Sequence, residues 1–498
     1  MKVLLVYPKF PDTFWSFKYA LKFVSKKATH PPLGLLTVAS MMPADWDIKL
    51  IDMNVQKFSE KMLKKVDLVF ISAMAIQGES ARSIVEICKK HGVKTAAGGP
   101  LFTSDRASFQ DIDYLVLNEA EITFPGFLRD LSKGSPEHLY TSPDHCDMTH
   151  TPPPRWDLIN MKKYKSMSIQ YTRGCPFNCD FCNVTSLFGH KVRHKSAPQI
   201  IAELESLFKN KWRSGVFFVD DNFIGNRAEL KNELLPELIK WMEEKKYPFT
   251  FNTQASVNLA DDDELMGMMV RAGFDSVFVG IETPNEESLA ECKKFQNKTR
   301  NLVSCIKKMQ NNGLQVMGGF IVGFDSDPPS IFQRQIDFIQ KSGIVTAMVG
   351  LLNAPQGTAL YRRLEKAGRL VSNFTGDNTN FSMNFIPKIN HDILIEGYNY
   401  ILKRLYSPRE FYERVKIFLR EYDPKIKVKF SIKRLPGYIA SLRALLRSVW
   451  YLGIMDKARL YYWKFLLWAL FRKSKQFPLA ITYTIYGFHF RKVFDIRK

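Results

Sequence analysis

The sequence predicts an α/β fold in three parts: a doubly wound parallel sheet, a partial (β/α)6 barrel, and a basic, mainly helical C-terminal region. Short apolar runs alternate with longer amphipathic segments over residues 1–140 and again over 165–370, as strands and covering helices do in parallel sheets. A Pro-rich segment, 141–164, separates these two parts and is a predicted linker. The last part, 371–498, carries most of the net charge of +21, because residues 401–498 hold 23 Lys and Arg but only 6 Asp and Glu.

The composition is that of a folded protein without a membrane-spanning helix. The chain has 498 residues, enough for two or three domains, and is 45% hydrophobic and 24% charged. No run approaches the roughly 18 apolar residues of a membrane-spanning helix, and the opening MKVLLVYPKF is too short an apolar run for a signal peptide. Seven cysteines, an odd number, argue against a disulfide framework. We therefore expect a cytoplasmic protein whose clustered cysteines are metal ligands or catalytic thiols.

The N-terminal part has five short apolar runs that predict buried strands: Val3–Tyr7, Ile48–Ile51, Leu68–Ser72, Lys94–Ala97 and Tyr114–Leu117. The amphipathic segment Ser80–His91 is a predicted helix between two of them. Gly98-Gly99-Pro100 directly follows the fourth strand, and ligands of open α/β sheets bind at the carboxyl ends of strands. Gly98 and Gly99 are therefore a candidate ligand loop, and the alternative is a tight strand-to-loop turn.

The second part begins after three consecutive prolines at 152–154, which favour an extended linker. Six strands are predicted here: Ser168–Tyr171, Gly215–Val219, Phe249–Gln254, Ser276–Ile281, Val316–Val322 and Thr346–Leu352. Helices are predicted between them, namely Pro198–Lys209, Asn232–Lys245, Asp261–Ala272 and Thr299–Asn311. A complete eight-unit barrel needs about 250 residues. Six units in about 200 residues therefore predict an incomplete barrel.

Three cysteines, Cys175, Cys179 and Cys182, lie within eight residues directly after the first predicted barrel strand. Structural zinc normally takes four protein ligands, often from two paired knuckles, and here the spacing is three residues and then two. A [4Fe–4S] cluster held by three thiolates leaves one iron open for another ligand. The cysteines are thus predicted cluster ligands, and zinc or three structural cysteines are the alternatives.

The segment CPFNCDFC resembles the Cys-x3-Cys-x-aromatic-Cys signature of the radical S-adenosylmethionine (SAM) superfamily. The resemblance implies that SAM binds the open iron and is cleaved to a 5′-deoxyadenosyl radical, with Phe181 beside the adenine. It also implies SAM contacts at strand ends in Asp220-Asp221-Asn222, in Gly280-Ile281-Glu282 and in the Gly-x-Ile-x-Gly-like strand. The predicted contacts are Asp221, Glu282, Gly319 and Gly323. For the aspartates the alternative is a turn or a helix cap.

An α/β domain before such a barrel resembles the cobalamin-dependent (class B) radical SAM family. His30-Pro31-Pro32-Leu33-Gly34-Leu35 and Asn118-Glu119-Ala120-Glu121 are similar to segments of that family. The resemblance implies cobalamin, whose nucleotide tail would pass Ser72, Gly98 and Gly99. The Asp-x-His-x-x-Gly motif of many cobalamin proteins is absent, so no cobalt ligand is predicted. The alternative is a domain that only packs on the barrel. Methylthiotransferases are disfavoured, because only Cys88 and Cys146 precede the signature.

The basic C-terminal region interleaves cations with bulky apolar residues, for example in YYWKFLLWALFRK at 461–473. Aromatic and aliphatic residues that enter the headgroup boundary, beside Lys and Arg that meet anionic lipid, are typical of interfacial helices. Nucleic-acid binding is a rival interpretation, and an ordinary helical domain with a basic face is another. We expect a peripheral membrane surface, because the apolar residues are contiguous.

In overall layout the chain resembles the cobalamin-binding radical SAM proteins that modify membrane lipids, such as hopanoid C-methylases. Similar segments include Phe14-Trp15-Ser16-Phe17 and Asn353–Tyr361. The resemblance implies methyl transfer from methylcobalamin to an unactivated carbon of a hydrophobic or lipid substrate, with an electron donor such as flavodoxin or ferredoxin. Cyclisation or C–C coupling without methylation, and RNA modification, are the alternatives.

Overall fold

The computed structural model describes residues 1–377, 379–424 and 435–495. The first part is one six-stranded parallel sheet in the order β2-β1-β3-β4-β5-β6. Its strands are β1 Lys2–Tyr7, β2 Asp47–Asp52, β3 Leu68–Ser72, β4 Lys94–Gly98, β5 Tyr114–Val116 and β6 Leu139–Tyr140. Its helices are α1 Lys18–Leu21, α2 Leu33–Met41, α3 Gly78–Lys90, α4 Pro100–Ser104 and α5 Ala120–Ser132.

All five strands predicted for this sheet are present, and their observed ends differ from the predicted ends by no more than one residue. Four of the five contain a run of at least three buried residues without a charge, as in β1, where four consecutive side chains are buried. In β2 only Leu50, Ile51 and Asp52 are buried. The two-residue β6 is too short to give a sequence signal. The strand order reverses between β1 and β3, so ligands are expected at the carboxyl ends of the central strands.

The second part is a six-stranded parallel sheet in the order β14-β13-β12-β11-β10-β7. Its strands are β7 Ser166–Ile169, β10 Gly215–Phe218, β11 Thr250–Ala255, β12 Phe274–Glu282, β13 Gln315–Val322 and β14 Ala347–Leu351. A small antiparallel hairpin, β8 Thr172–Arg173 with β9 Arg193–His194, follows β7. The prediction of a partial barrel is confirmed, with strand ends within two residues of those expected.

Helices cover the outside of this barrel and connect its strands: α6 Val184–Phe188, α7 Ala197–Lys209, α8 Arg227–Glu229, α9 Leu235–Glu244, α10 Asp263–Ala272, α11 Glu286–Glu291, α12 Leu302–Asn311, α13 Ile331–Ser342 and α14 Ala359–Lys366. Two begin three residues later than predicted. The α9 helix follows a π-helical turn at Leu230–Leu234, and α12 is capped by Asn301, whose side chain accepts the Ser304 N–H.

Five longer helices follow: α15 His391–Tyr406, α16 Pro408–Glu421, α17 Leu435–Ser448, α18 Arg459–Arg472 and α19 Phe477–Asp495. They pack on both preceding parts, since the Tyr406 hydroxyl donates to Ala347 O at 2.5 Å and Phe14 stacks on Phe490 with ring centroids 4.3 Å apart. The mainly helical character of this region is confirmed; its residues 378, 425–434 and 496–498 lie outside the described ones. None of the described helices is long and apolar enough to cross a membrane. The division at residues 140, 165 and 370 stays a prediction.

Candidate functional site

The cysteine loop leaves the barrel after β7 and the first strand of the small hairpin. Gly174 has φ +93°, and a Cβ at this position would lie 2.5 Å from the carbonyl oxygen of Lys191. Glycine adopts this backbone conformation without steric cost, so Gly174 lets the chain pass close to the hairpin. The Cys175 N–H then donates to Gly189 O at 3.3 Å. These contacts close the base of the loop that carries the three predicted ligands.

The three thiols of this loop form a half-buried group of near neighbours. A turn in which the Cys182 N–H donates to Cys179 O at 3.1 Å connects the last two. Burial raises the pKa of Cys182 to about 12, and the charge of Cys179 adds to this shift. Burial and Cys179 also raise the pKa of Cys175. Three thiols in one tight loop are the soft donor set that an iron–sulfur cluster takes, so the residues present fit a [4Fe–4S] cluster.

The two aspartates that follow β10 have different surroundings. Asp220 is fully buried and accepts hydrogen bonds from the Tyr171 N–H at 3.3 Å, from the Thr172 N–H and from the Thr172 hydroxyl at 2.6 Å. Asp221 is half-buried, and its charge contributes to the raised pKa of Cys175. Asp220 therefore anchors the start of the hairpin, whereas Asp221, the predicted SAM contact, lies near the cysteine loop.

Glu282 ends β12 in a buried ion pair. Its backbone is in the left-handed region, with φ +65°, and its Oε1 accepts from Lys294 Nζ at 2.8 Å. A Cβ on Gly280 would overlap both of these side-chain atoms, so glycine makes room for the pair. Burial opposes the charge of Lys294, but Glu282 and Cys179 raise the pKa of its ammonium group above the usual range. Lys294 is thus a cation, only 13% exposed, between Glu282 and the cysteine loop.

Of the predicted adenine contacts, Gly319 lies within β13 and Gly323 directly follows this strand. A Cβ on Gly319 would be 2.7 Å from the ring of Phe278, and Gly323 has φ +105°. The ring of Phe181 packs edge-on against Phe324, with centroids 6.3 Å apart. The structure therefore brings Phe181 next to the glycine-containing strand end, as their predicted shared role requires.

Ser72, Gly98 and Gly99 meet at the carboxyl ends of β3 and β4. Ser72 is paired with Gly98, and Gly99 has φ +96°. A Cβ on Gly99 would lie 2.7 Å from Ser72 Oγ, and one on Gly98 would lie 2.5 Å from Val116 O. These small residues leave the strand ends free of projecting side chains. The resulting cradle, which we call the Gly99 cradle, fits a cofactor that approaches the backbone.

A buried ion-pair network joins the N-terminal sheet to the cysteine loop. Arg193 Nη2 donates to Glu119 Oε1 at 2.6 Å, Arg173 Nη2 donates to Glu121 Oε1 at 2.8 Å, and the Cys146 N–H donates to Glu119 Oε2 at 3.0 Å. Burial opposes ionisation of Glu119, but Arg193, Cys146 and Arg173 hold its pKa at about 2. The ligand atoms of Glu119, Glu121 and Cys146 lie within 4.8 Å of one another. The two guanidinium groups neutralise the carboxylates, which makes the group an ion-pair network rather than a metal site.

The structure thus places the predicted site residues in two groups that this network connects. Asp221 and, through Lys294, Glu282 lie near the cysteine loop, and Phe181 of this loop contacts Phe324, the neighbour of Gly323. Gly319 lies within β13, whereas Ser72, Gly98 and Gly99 form the separate Gly99 cradle. Sequence reasoning missed Lys294, whose neighbours are distant in the chain. It also missed the network, although Arg173 directly precedes the Gly-Cys of the loop and Glu119 and Glu121 belong to a segment already noted as family-like.

Comparison with known families covers each part of the chain. Residues 23–128 match the B12 binding domain, residues 169–339 match the radical SAM superfamily, and residues 358–498 match a domain of unknown function, DUF4070. The first match includes the Gly99 cradle, and the second includes the cysteine loop.

Two relatives match along nearly their whole length. An uncharacterized methyltransferase of Synechocystis sp. is 40% identical over 100% of this chain and 92% of its own. Hopanoid C-2 methylase of Rhodopseudomonas palustris is 30% identical over 95% of this chain and 90% of its own. Both names describe methyl transfer, which confirms the predicted class of enzyme.

Two solved structures share the fold. OxsB, a cobalamin-dependent S-adenosylmethionine radical enzyme with aqua-cobalamin and SAM bound, has a TM-score of 0.63 at 15% identity and covers 99% of this chain and 80% of its own. TsrM from Kitasatospora setae, a radical SAM methyltransferase with cobalamin and a [4Fe–4S] cluster bound, has a TM-score of 0.58 at 16% identity over 74% of this chain and 75% of its own. The predicted cofactors, a [4Fe–4S] cluster, SAM and cobalamin, are confirmed. This chain belongs to the cobalamin-dependent radical SAM methyltransferases.

Proposed function

We propose that this enzyme methylates an unactivated carbon of a hydrophobic, lipid-like substrate. In this proposal Cys175, Cys179 and Cys182 hold the cluster, and the Gly99 cradle, with Ser72, Gly98 and Gly99, holds cobalamin. The residues proposed to line the SAM site are Phe181, Asp221, Glu282, Gly319 and Gly323. Together these cofactors supply a 5′-deoxyadenosyl radical that removes hydrogen and a methyl group that replaces it. An external one-electron donor is required, and a flavodoxin or ferredoxin would suit.

The chain's own residues prepare this site. Asp220 holds the start of the hairpin and so fixes the direction from which the cysteine loop leaves the barrel. Lys294, buried beside Glu282, places a fixed positive charge near the thiolates and favours their ionised, ligating form. The network of Arg173 and Glu121 holds the N-terminal sheet against the loop, which keeps the two proposed cofactor sites in one relative position.

The observation that carries the choice of a lipid-like substrate is the exposed surface of α17 and α18. Large apolar side chains on these helices and the turn between them face solvent: Leu442, Leu446, Trp450, Tyr451, Ile454, Met455, Leu460, Tyr461, Trp463, Leu467, Leu470 and Phe471. Leu460 and Phe471 are 78% and 79% exposed. We call this set the apolar C-terminal surface. An exposed patch of this kind marks a docking site.

Basic residues accompany the apolar C-terminal surface. Arg443, Arg459, Lys464 and Arg472 are exposed on the same two helices. Bulky apolar groups flanked by Lys and Arg suit insertion at the headgroup boundary of an anionic bilayer, where each cation contributes about 1 kcal/mol. The 30% identical relative is named for a methylase of hopanoids, which also supports a lipid-like substrate. We therefore propose a peripheral position on a membrane surface.

Product mass tests the proposed reaction. The anaerobically reconstituted enzyme is incubated with a reductant, a bacterial lipid extract and SAM that carries a deuterated methyl group. We expect a lipid that has lost one hydrogen and gained one labelled methyl group, together with 5′-deoxyadenosine. Formation of 5′-deoxyadenosine with a product that carries no labelled methyl group would replace methylation by cyclisation or coupling.

Vesicle sedimentation tests the proposed surface. Wild-type protein should sediment with vesicles of phosphatidylcholine and phosphatidylglycerol, and the double variant Leu460→Ser, Phe471→Ser should stay in the supernatant. The matched control is Ile393→Ser, which changes an exposed apolar residue on α15 and should sediment as wild type does. Equal sedimentation of the double variant, or binding of RNA in preference to vesicles, would contradict a membrane role.

A further inference from the structure

Two sulfurs of the cysteine loop accept a hydrogen bond from the loop's own backbone. The N–H of Phe177 donates to Cys175, and the N–H of Val184, the first residue of α6, donates to Cys182. Burial raises the pKa of each thiol, and the hydrogen bond partly offsets this rise. Each donor lies two residues after the cysteine to which it donates, so the local course of the chain supplies both bonds.

The third sulfur accepts its hydrogen bond from a distant side chain. Gln296 Nε2 donates to Cys179 Sγ at 3.7 Å, and 117 residues separate the two in the chain. Gln296 is half-buried, and its amide does not titrate, so it is a donor at every pH. A thiolate that ligates iron carries negative charge and is therefore a better acceptor than a neutral thiol. Among the described residues, Gln296 is thus a donor to a predicted cluster ligand that a substitution can remove.

The turn that follows α11, residues 292–297, fixes the position of Gln296. The side chain of Asn297 is fully buried, and its Nδ2 donates to two carbonyl oxygens of β12, each at 3.0 Å. On the other side of the turn, the Asp180 N–H of the cysteine loop donates to Cys292 O at 3.0 Å. The turn is therefore tied both to the barrel and to the cysteine loop, and the approach of the glutamine amide to the loop follows from these two attachments.

The same turn carries a positive charge beside the thiols. Burial opposes the charge of Lys294, but Glu282, Cys179 and Cys182 raise its pKa, so its side chain is an ammonium group. A reduced [4Fe–4S] cluster carries one more negative charge than the oxidised cluster. Hydrogen-bond donors to the sulfurs and a cation near them therefore stabilise the reduced form more than the oxidised form, which raises the reduction potential.

We infer that Gln296 is a positioning residue that raises the reduction potential of the cluster through its hydrogen bond to Cys179. This inference rests on the assignment of the cluster to the cysteine loop in the proposed function, and it adds a determinant of the one-electron step. In that step the external donor loses one electron and the cluster gains it. A less negative potential of the cluster favours this transfer, so a weaker electron donor suffices.

A redox titration followed by electron paramagnetic resonance tests this inference, because the reduced cluster is paramagnetic. Wild type and Gln296→Leu are reconstituted anaerobically and titrated without SAM or substrate. At the midpoint potential of the wild type, the ratio of reduced to oxidised cluster in Gln296→Leu should fall about tenfold, which for one electron is a shift of about 59 mV to a more negative potential. Gln296→Glu should shift further in the same direction, because a carboxylate adds negative charge where the donor stood.

The matched control is Phe295→Ala. It changes the neighbouring side chain of the same turn, which is 62% exposed, and should leave the midpoint potential unchanged. An unchanged potential in Gln296→Leu, or an equal shift in Phe295→Ala, would overturn the inference. Loss of iron from Gln296→Leu would also overturn it, because the side chain would then hold the loop together instead of tuning the cluster.

The choice of reductant gives a second readout that a purely structural role would not change. Gln296→Leu should cleave SAM more slowly than the wild type with reduced flavodoxin and at the wild-type rate with titanium(III) citrate, a stronger reductant. Equal slowing with both reductants would contradict the inference. A wild type without about four irons per chain would overturn the cluster assignment of the proposed function, whereas about four irons with equal potentials in wild type and Gln296→Leu would overturn only the inference.

Discussion

Arg173 Nη2 donates to Glu121 Oε1 at 2.8 Å and forms an ion pair with it. Arg173 directly precedes the cysteine loop, and Glu121 lies in the first turn of α5, a helix of the N-terminal part. Arg173 also donates to Glu121 Oε2 at 3.0 Å, so the pair is bidentate. The two side chains are 12% and 7% exposed. Removing either side chain would leave the other charge buried and poorly solvated, which destabilises the folded chain. Because Arg173 adjoins the cysteine loop, the same pair also holds that loop in position.

Arg173→Ala should lower the free energy of unfolding by about 3–5 kcal/mol, because it leaves Glu121 buried without its cation. The matched control is Arg155→Ala. Arg155 pairs with Asp157 at a similar distance, 2.7 Å, but the two side chains are 42% and 59% exposed, so the loss should stay below about 1 kcal/mol. Urea denaturation of the reconstituted proteins measures the loss of unfolding free energy in each variant. Equal losses would contradict a special role for the Arg173–Glu121 pair.

The pH dependence of stability should contain a clear contribution from Glu119. Its folded pKa of about 2 lies below the ordinary pKa of a glutamate, 4.5, so its contribution to stability is fully present above pH 4.5 and is lost as the pH falls toward 2. The shift corresponds to about 3 kcal/mol. Denaturation of wild type and Glu119→Gln at pH 6 and pH 3 should show a gap in stability that narrows at pH 3. A gap that is independent of pH would refute the assigned pKa.

The neighbouring aspartates should respond differently to the same substitution. Asp220→Asn removes a charged acceptor of the Thr172 hydroxyl and backbone, and should lower both thermal stability and iron bound per chain. Asp221→Asn should keep both but weaken SAM binding several-fold, since Asp221 lies near the cysteine loop. Thermal unfolding, iron analysis and SAM titration separate the two outcomes. A loss of stability only in the Asp221 variant would contradict the structural role given to Asp220 and the SAM-binding role given to Asp221.

Gly99→Ala should lower the cobalamin bound per chain without changing the iron content. The added Cβ would lie 2.7 Å from Ser72 Oγ and fill the Gly99 cradle. Gly92→Ala is the control, because Gly92 also has a positive φ, +66°, but no heavy atom lies within 4 Å of its Cβ position. Gly92→Ala should lose about 1 kcal/mol and Gly99→Ala about 1–3 kcal/mol of stability, because φ +96° with ψ −178° is a backbone conformation that essentially only glycine adopts. Only Gly99→Ala should lose corrinoid absorbance. Full cobalamin binding by Gly99→Ala would show that the Gly99 cradle is not part of the cobalamin site.

The sequence predicted the strands of both sheets well, because buried parallel strands are short apolar runs whose ends are marked by polar or small residues. The cysteine loop was equally easy to predict from the sequence, since its three cysteines lie within eight residues. The less predictable features depend on contacts between distant segments. Gln296 and Cys179 are 117 residues apart, and Lys294 becomes a site residue only because α11 and the following turn bring it to Glu282. No local pattern encodes such contacts.

The account depends above all on the assignment of the cluster to Cys175, Cys179 and Cys182. The most direct test is to measure iron and 5′-deoxyadenosine formation in wild type and Cys179→Ala, both reconstituted under anaerobic conditions with the same reductant. We predict about four irons per chain and SAM cleavage in the wild type, and neither in the variant. Retained 5′-deoxyadenosine formation by Cys179→Ala would contradict the assignment.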